Sequence, residues 1–551
     1  MNHIELFAGC GGLSLGLEST GFELLLANEL SPMAAETFAY NFFGENLAEI
    51  GRSGHAGAIE QLRTKWLSSQ FSVGEMSQRL REDPRQFPAL SKGNCDIGDV
   101  AELQGSLLVG SIVQLNEWLA NHSEARNMIR SAFGKGEVDL VSGGPPCQSF
   151  SMAGMRQYNN ARNTLPMEFA NFVGMVRPKM AMLENVTGIL RPFSVEGQKV
   201  HAWYEVAKAF VATGYVPLCL HVNAKFAGVA QNRPRFIMLL FRADFFQTLL
   251  PSFSETELSL MLPSWEFYTR VNLEPAIEYS AGLLKYFDIE KSDLKLFQNS
   301  FLRPLVSFET KAKQFTVHHA IDDLREQGGD RSEYLRLLDT YLAPCVTDHK
   351  MDNHDLRRNN QHVKRRFRIY QILQQVPKAV QSEVLAILSG KAEELSDIGV
   401  DHLRTHSFVD LDGKEKVFKK KEIAEFIAYL ATHKTKKQTQ KALDPSSPAP
   451  AALSIPDDAC HYHPNELRTL TVREMARFQS FPDNFVFRSK VTTGGQMRKF
   501  EVPQYTQVGN AVPPLLGRAL GLAIKDLLSR STKGVSSTVY AHPAETLEAV
   551  A

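Results

Sequence analysis

The chain is predicted to be an α/β protein, a sheet with helices on both faces, on two observations. Short apolar runs alternate with helical patterns through the first 240 residues, and glycine-rich or proline-rich turns close several of those runs. At 551 residues the chain is too long for one ordinary core, so a second, smaller domain is expected.

The elements follow in order. His3–Phe7 reads as a strand that ends in Gly9-Cys10-Gly11-Gly12, and Leu13, Leu15 and Leu17 open a helix. Phe22–Ala27 is a second strand and Pro32–Asn41 a second helix; Val138–Ser142, Met180–Leu183 and Phe236–Phe241 are further strands. Residues 45–95 exceed what a crossover needs and read as an insertion, with a helix over Ile59–Leu67. Thr471 and Glu474 have the spacing of a capping box, and Tyr505–Pro514 reads as a turn into a last helix through Ile524.

Composition excludes several classes. Hydrophobic residues make up 43% and charged residues 22%, as in globular enzymes. No run is apolar enough to span a bilayer, and the N-terminus has no signal core, so a cytoplasmic protein is expected. The six cysteines form no CxxC pair, which disfavours a disulfide framework. His461 and His463 beside Cys460 lack an evident fourth ligand, so no metal is expected. Net charge is zero, and any nucleic-acid contact must come from local patches. One such patch is 357–441, with 18 Lys or Arg against 10 Asp or Glu. It reads equally as a solvated face or as a DNA contact. Lys434–Ala452, a lysine run followed by a Pro/Ser/Ala-rich run, reads as a flexible or extended linker, and 532–551 reads as a tail.

Several short motifs carry chemistry. The Gly9–Gly12 turn is either a tight turn or a backbone cradle for a ligand at a helix N-terminus. Glu29, at a strand end, suits ribose hydroxyls, or is an ordinary capping carboxylate. Asp96-Ile97 is a candidate adenine wall, or a turn cap. Cys147 is the sharpest signal. It follows Gly-Gly-Pro-Pro at the end of an apolar strand, among polar neighbours, where a reactive thiol is favoured over a structural one. Glu184-Asn185-Val186 places a carboxyl at another strand end, suited to proton donation. Gln231-Asn232-Arg233-Pro234-Arg235 sets two guanidinium groups at alternate positions, for a phosphate or a base carbonyl, or simply as surface arginines.

Taken in order, FAGCGG, Glu29, DI, GGPPCQSFS, ENV, QNRPR, LTVREMARFQSFPD and QVGNAVPP resemble the motifs of the cytosine-5 DNA methyltransferases, over roughly 1–44, 95–242 and 467–525. The resemblance implies a Rossmann-like S-adenosylmethionine-dependent methyltransferase sheet with a smaller target-recognition domain. The expected layout is a catalytic part at 1–243, target recognition at 244–466 and a C-terminal part at 467–531 whose last helix returns beside the first strand. It implies S-adenosyl-L-methionine as cofactor, held by Phe7, Gly9, Cys10, Gly11, Gly12, Glu29, Asp96, Ile97, Pro146, Leu165 and Asn510. It also implies Cys147 as the nucleophile on cytosine carbon 6, Glu184 at ring nitrogen 3, and Arg233 and Arg235 at the carbonyl oxygen. Gln148, Ser149, Arg156 and Gln231 are then expected on DNA, with Gln148–Leu165 as a closing loop and the base flipped out of the duplex. Expected partners are double-stranded DNA and a cognate restriction or defence protein, with a monomer acting on DNA. Two competing readings are an RNA methyltransferase of the same fold and a non-catalytic DNA-binding relative.

Overall fold

The computed structural model describes residues 1–53, 61–146, 164–195, 198–434, 441–451, 455–456, 458–495, 497 and 500–533. The main sheet is built from β1 (Asn2–Leu6), β2 (Glu23–Glu29), β3 (Thr64–Trp66), β4 (Ser106–Val109), β5 (Leu140–Gly143), β6 (Met180–Val186), β7 (Tyr215–Asn223), β8 (Pro234–Arg242) and β9 (Tyr286–Asp288). Its order is β9-β7-β8-β6-β5-β1-β2-β4-β3. Neighbours run parallel except β8, which is antiparallel to β6 and to β7. This is the α/β sheet expected from the alternation of strands and helices, with the Rossmann-like mixed order that the resemblance implies.

The period-2 geometry of strands explains why helices cover both faces. In β8, Ile237, Leu239 and Phe241 enter one apolar cluster while Phe236, Met238 and Leu240 enter another. The first cluster is completed by α1 (Gly12–Glu18), and the second by α3 (Ile112–Asn121), α4 (Leu165–Val176) and α5 (Ala202–Ala212), with α2 (Pro32–Phe43) on a third, smaller cluster beside β3 and β4. Residues 245–342, including α6 (Glu255–Leu273), also pack into the sheet's own clusters, through Phe246, Leu260, Phe287 and Tyr334. A separate cluster gathers α7 (Gln361–Leu373), α8 (Lys378–Leu388) and α9 (Ile423–Thr432) around Phe367, Phe408 and Phe426, and includes Cys460.

Two expectations differ from the structure. The helix expected over Ile59–Leu67 is replaced at Thr64–Trp66 by edge strand β3; Ile59 itself lies outside the described residues. The i, i+4 spacing of Leu62 and Trp66 mimics a helix. Pairing with Leu107–Val109 decides instead, burying Thr64 and Trp66 on a strand period. The last helix, α12 (Pro514–Lys533), returns to α1 rather than to β1. A Cβ on Gly16 would stand 2.4 Å from Pro514 O and 2.6 Å from Arg518 N, so only glycine permits this crossing. Arg518 donates to Ser19 O (2.5 Å) and Lys525 to Thr20 O (2.6 Å), satisfying carbonyls at the end of α1.

The capping box is present. Thr471 Oγ1 accepts from Glu474 N while Glu474 accepts from Thr471 N (2.8 Å), starting α10 (Val472–Phe478). Glu474 is fully buried, and Arg468 donates to it through both terminal nitrogens (2.9 and 2.8 Å).

Candidate active site

Strand register aligns the candidate residues along one edge of the sheet. Leu6 pairs with Asn28 and with Gly143, and Gly143 pairs with Leu183. The residues just past these positions, Phe7, Glu29, Gly144 and Glu184, therefore share the carboxyl edge of the parallel strands, where open α/β sheets bind ligands. Because β8 runs the other way, its first residues, including Arg235, come to the same edge.

The first loop is held in a cradle shape. Phe7 and Gly9 take left-handed backbone (φ 56° and 57°), and a Cβ on Gly9 would meet nothing within 4 Å. Gly9 N donates to Glu29 Oε2 (2.8 Å) and Ser31 N to Glu29 Oε1 (2.7 Å). Each oxygen keeps a lone pair, so the carboxylate can still accept from hydroxyls. Burial pushes the Glu29 carboxyl up, opposed by these backbone donors. The Cys10 thiol turns away into the core, toward Gln507 O (3.9 Å), so only the backbone at this position faces the edge. Open space over Gly9, a ring at Phe7 and a strand-end carboxylate fit a nucleoside with a charged amino-acid end, as in S-adenosylmethionine.

The third wall differs from expectation. The strand beside β2 is β4, with Glu29 opposite Val109, and Asn28 Nδ2 donates to Leu108 O and Gly110 O (2.9 and 3.0 Å). The residues beyond that strand end are Gly110, Ser111 and Ile112, with Ser111 Oγ capping α3 by accepting from Val113 N (3.2 Å). Asp96 instead lies beyond β3, hydrogen-bonded to Trp66, which is itself two strands outward of Glu29. Its carboxylate accepts from Trp66 N (2.9 Å) and from Arg79 Nη1 and Nη2 (2.5 and 3.0 Å). The motif "DI" matched the expected letters, but the sheet gives the corresponding place to Ser111-Ile112. Ile97 is half-buried and packs on the second cluster.

Cys147, Gln148, Ser149 and Arg156 lie outside the described residues. The turn that leads to Cys147 is described as far as Pro146, which is exposed. Asn185 Nδ2 donates to Pro145 O (3.0 Å), fastening that turn to the end of β6. Sequence reading passed over Asn185; its place next to Glu184 was the available signal. A Cβ on Gly144 would approach Glu184 Oε2 to 3.0 Å, so the carboxylate abuts the same turn.

Glu184 and Arg235 are 8% exposed and form an ion pair, Nε to Oε1 2.6 Å. Ile237 is the residue opposite Glu184, so the pair is diagonal across the β6–β8 ladder. Burial lowers the Arg235 guanidinium, opposed by Glu184.

Arg233 and Gln231 have different placements from those expected. Arg233 is 2% exposed and donates to Gly509 O (2.7 Å), Ala511 O (3.0 Å) and Ala451 O (3.4 Å), tying this turn to the C-terminal motif rather than facing the edge. Burial, and then neighbouring Arg235, push its pKa well down. Gln231 is fully buried and donates to Pro450 O (2.9 Å), so its side chain is not presented to DNA. The parallel pairing of 231–232 with Ala449–Pro450 covers this turn. Leu165 is half-buried at the start of α4, and Asn510 is exposed at the end of α11 (Gln504–Asn510).

The model of the C-5 cytosine-specific DNA methylase family matches residues 1–61 and 116–526. The unmatched 62–115 holds β3, Asp96 and β4. The chain is 28% identical to the type II methyltransferase M.AgeI of Thalassovita gelatinovora, over 96% of this chain and 100% of that protein. It is 25% identical to M.DdeI of Desulfomicrobium norvegicum, over 94% of this chain and 87% of that one. It is also 22% identical to DNA (cytosine-5)-methyltransferase 1A of rice, over 95% of this chain and 28% of that protein. A family match over most of the length, on a sheet whose carboxyl edge gathers Glu29, Gly144, Glu184 and Arg235, means that the chain belongs to the C-5 cytosine-specific DNA methylase family, the DNA (cytosine-5) methyltransferases.

Proposed function

We propose that the chain methylates carbon 5 of a cytosine flipped out of a specific duplex sequence, through a covalent adduct with Cys147, and marks self DNA in a restriction–modification or phage-defence system in the cytoplasm. The observation that carries the chemical part is the Glu184–Arg235 ion pair, set against the turn that delivers Cys147. The biological setting rests on the type II methyltransferases among the relatives.

Carbon 5 of cytosine is a weak nucleophile. The Cys147 thiolate bonds to carbon 6, and the displaced electron pair makes carbon 5 nucleophilic. Glu184 hydrogen-bonds ring nitrogen 3, where charge develops, and Arg235 orients Glu184 and reaches the carbonyl oxygen. S-adenosylmethionine supplies the methyl group. Loss of the carbon 5 proton then lets the Cys147 sulfur leave and restores the ring double bond. Base flipping costs about a few kcal/mol, which DNA contacts offset.

Phe7 would hold the adenine of S-adenosylmethionine, the Gly9–Gly12 backbone its methionine end, and Glu29 its ribose hydroxyls. Ser111-Ile112 replaces Asp96-Ile97 at the adenine edge, with Pro146, Leu165 and Asn510 closing the pocket. Arg233 holds the site's walls together. Target recognition falls to the cluster around α7–α9, and the loop bearing Gln148, Ser149 and Arg156 closes over DNA, to which a monomer binds.

DNA substituted throughout with 5-fluorocytosine tests the adduct, because the fluorine blocks the last elimination. A protein–DNA species that survives denaturation, needs S-adenosylmethionine and vanishes in Cys147→Ala is expected. Its absence in the unmodified chain, with cofactor and DNA bound, would overturn the covalent mechanism.

A further inference from the structure

Asn223, the last residue of β7, is 1% exposed and uses its side chain on several groups at once. Its Oδ1 accepts from Arg233 N (3.0 Å) and Lys225 N (3.3 Å). Its Nδ2 donates to Asn232 Oδ1 (2.7 Å) and to Glu290 Oε1 (3.1 Å). Asn223 also faces Pro234 in the β7–β8 ladder, one residue before the pair formed by Val222 and Arg235. Behind it, Lys225 Nζ lies 3.1 Å from Glu290, and Glu290 lies two residues past the end of β9, the strand that extends the sheet beyond β7. One amide thus fixes the bend at Asn232–Arg233 from which β8 starts, and β8 carries Arg235 to Glu184.

We infer that Asn223 is a positioning residue for methyl transfer: with Glu290 behind it, it sets the start of β8 so that Arg235 meets Glu184. Both hydrogen-bonding ends of the amide are needed. An acceptor takes the backbone N–H groups, and a donor satisfies Glu290, so the isosteric carboxylate at 223 would set two acceptors against each other. The inference rests on the reading of Glu184 and Arg235 as catalytic residues, and the test separates the two.

Asn223→Asp, Asn223→Asp with Glu290→Gln, and Arg235→Ala are compared in the full chain for kcat, for the KM of DNA and for S-adenosylmethionine affinity by calorimetry. Asn223→Asp is expected to lower kcat about 10- to 100-fold, the usual cost of a small misplacement, with cofactor affinity unchanged. Glu290→Gln in the same chain restores a donor opposite the new carboxylate and should recover most of the lost kcat. A general loss of folding would lower cofactor binding as well and would not be rescued, and that result overturns the proposal. So does a wild-type kcat in Asn223→Asp while Arg235→Ala is impaired. If Arg235→Ala itself keeps wild-type kcat, the underlying reading of the pair fails, and the inference falls with it.

Discussion

Arg235 Nε stands 2.6 Å from Glu184 Oε1 across the β6–β8 ladder, with neither residue more than 8% exposed. A buried ion pair of this kind contributes little to net stability, yet breaking it leaves a charge without a partner. Glu184→Gln keeps the shape and removes the charge. It is expected to lower kcat about 100-fold or more while S-adenosylmethionine binding stays intact, measured by single-turnover methyl transfer and calorimetry.

Glu29 and Asp96 should part company. Glu29→Ala removes the acceptor that holds Gly9 and Ser31 and would take ribose hydroxyls, so cofactor affinity should fall about 10-fold or more. Asp96→Ala leaves the Arg79 guanidinium, whose side chain is 0% exposed, without its carboxylate. That should cost about 3–5 kcal/mol of stability by urea unfolding, with cofactor affinity of the folded protein unchanged.

Gly16→Ala should destabilise the chain, although alanine ordinarily favours a helix over glycine by up to about 1 kcal/mol. The added methyl would meet Pro514 O at 2.4 Å and Arg518 N at 2.6 Å, both backbone atoms, and push α1 from α12. A fall of about 1–3 kcal/mol is expected from overpacking, read as a lower Tm.

Stability should fall from pH 7.5 to 8.5. Burial pushes the Glu5 carboxyl from 4.5 up to about 8, opposed by the Ser14 hydroxyl, and Glu18 likewise to about 8. Burial also takes His3 from 6.5 down to about 3. Unfolding releases protons from the two carboxyls above pH 4.5, so they lower stability as pH rises toward 8. His3 acts oppositely, most strongly below 6.5, where the unfolded imidazole binds a proton. As pH rises past 6.5 the effect of His3, and of His433 and His461, which burial lowers to about 4, fades as the unfolded imidazoles lose their protons, and the two carboxyls prevail, each with a slope of at most about 1.4 kcal/mol per pH unit. Urea midpoints for Glu5→Gln should decline less over this range than those of the parent chain.

Local rules carried much of the site into the sequence. A strand followed by Gly9-Cys10-Gly11-Gly12, and a capping box at Thr471 and Glu474, depend on neighbours a few residues apart, and both have the expected form. Long-range pairing hid the rest. Thr64–Trp66 became a strand because β4, 40 residues later, offered it an edge. The letters Asp96-Ile97 promised a cofactor wall, but the strand order sets Asp96 beside β3 and puts Ser111-Ile112 past the end of β4, the strand next to Glu29. The basic stretch is also partly structural. Arg365 is 8% exposed and donates to His433, and Arg368 donates to Ser407 O (2.8 Å). Counting charge could not tell these from outward-facing lysines.

The most direct test is to supply tritiated S-adenosylmethionine with mixed-sequence duplex DNA, or with tRNA, and to identify the labelled base by mass spectrometry. The account predicts 5-methylcytosine in DNA, lost in Cys147→Ala and strongly reduced in Glu184→Gln. Label in tRNA alone, or in DNA on any base other than cytosine or undiminished by Cys147→Ala, would contradict it.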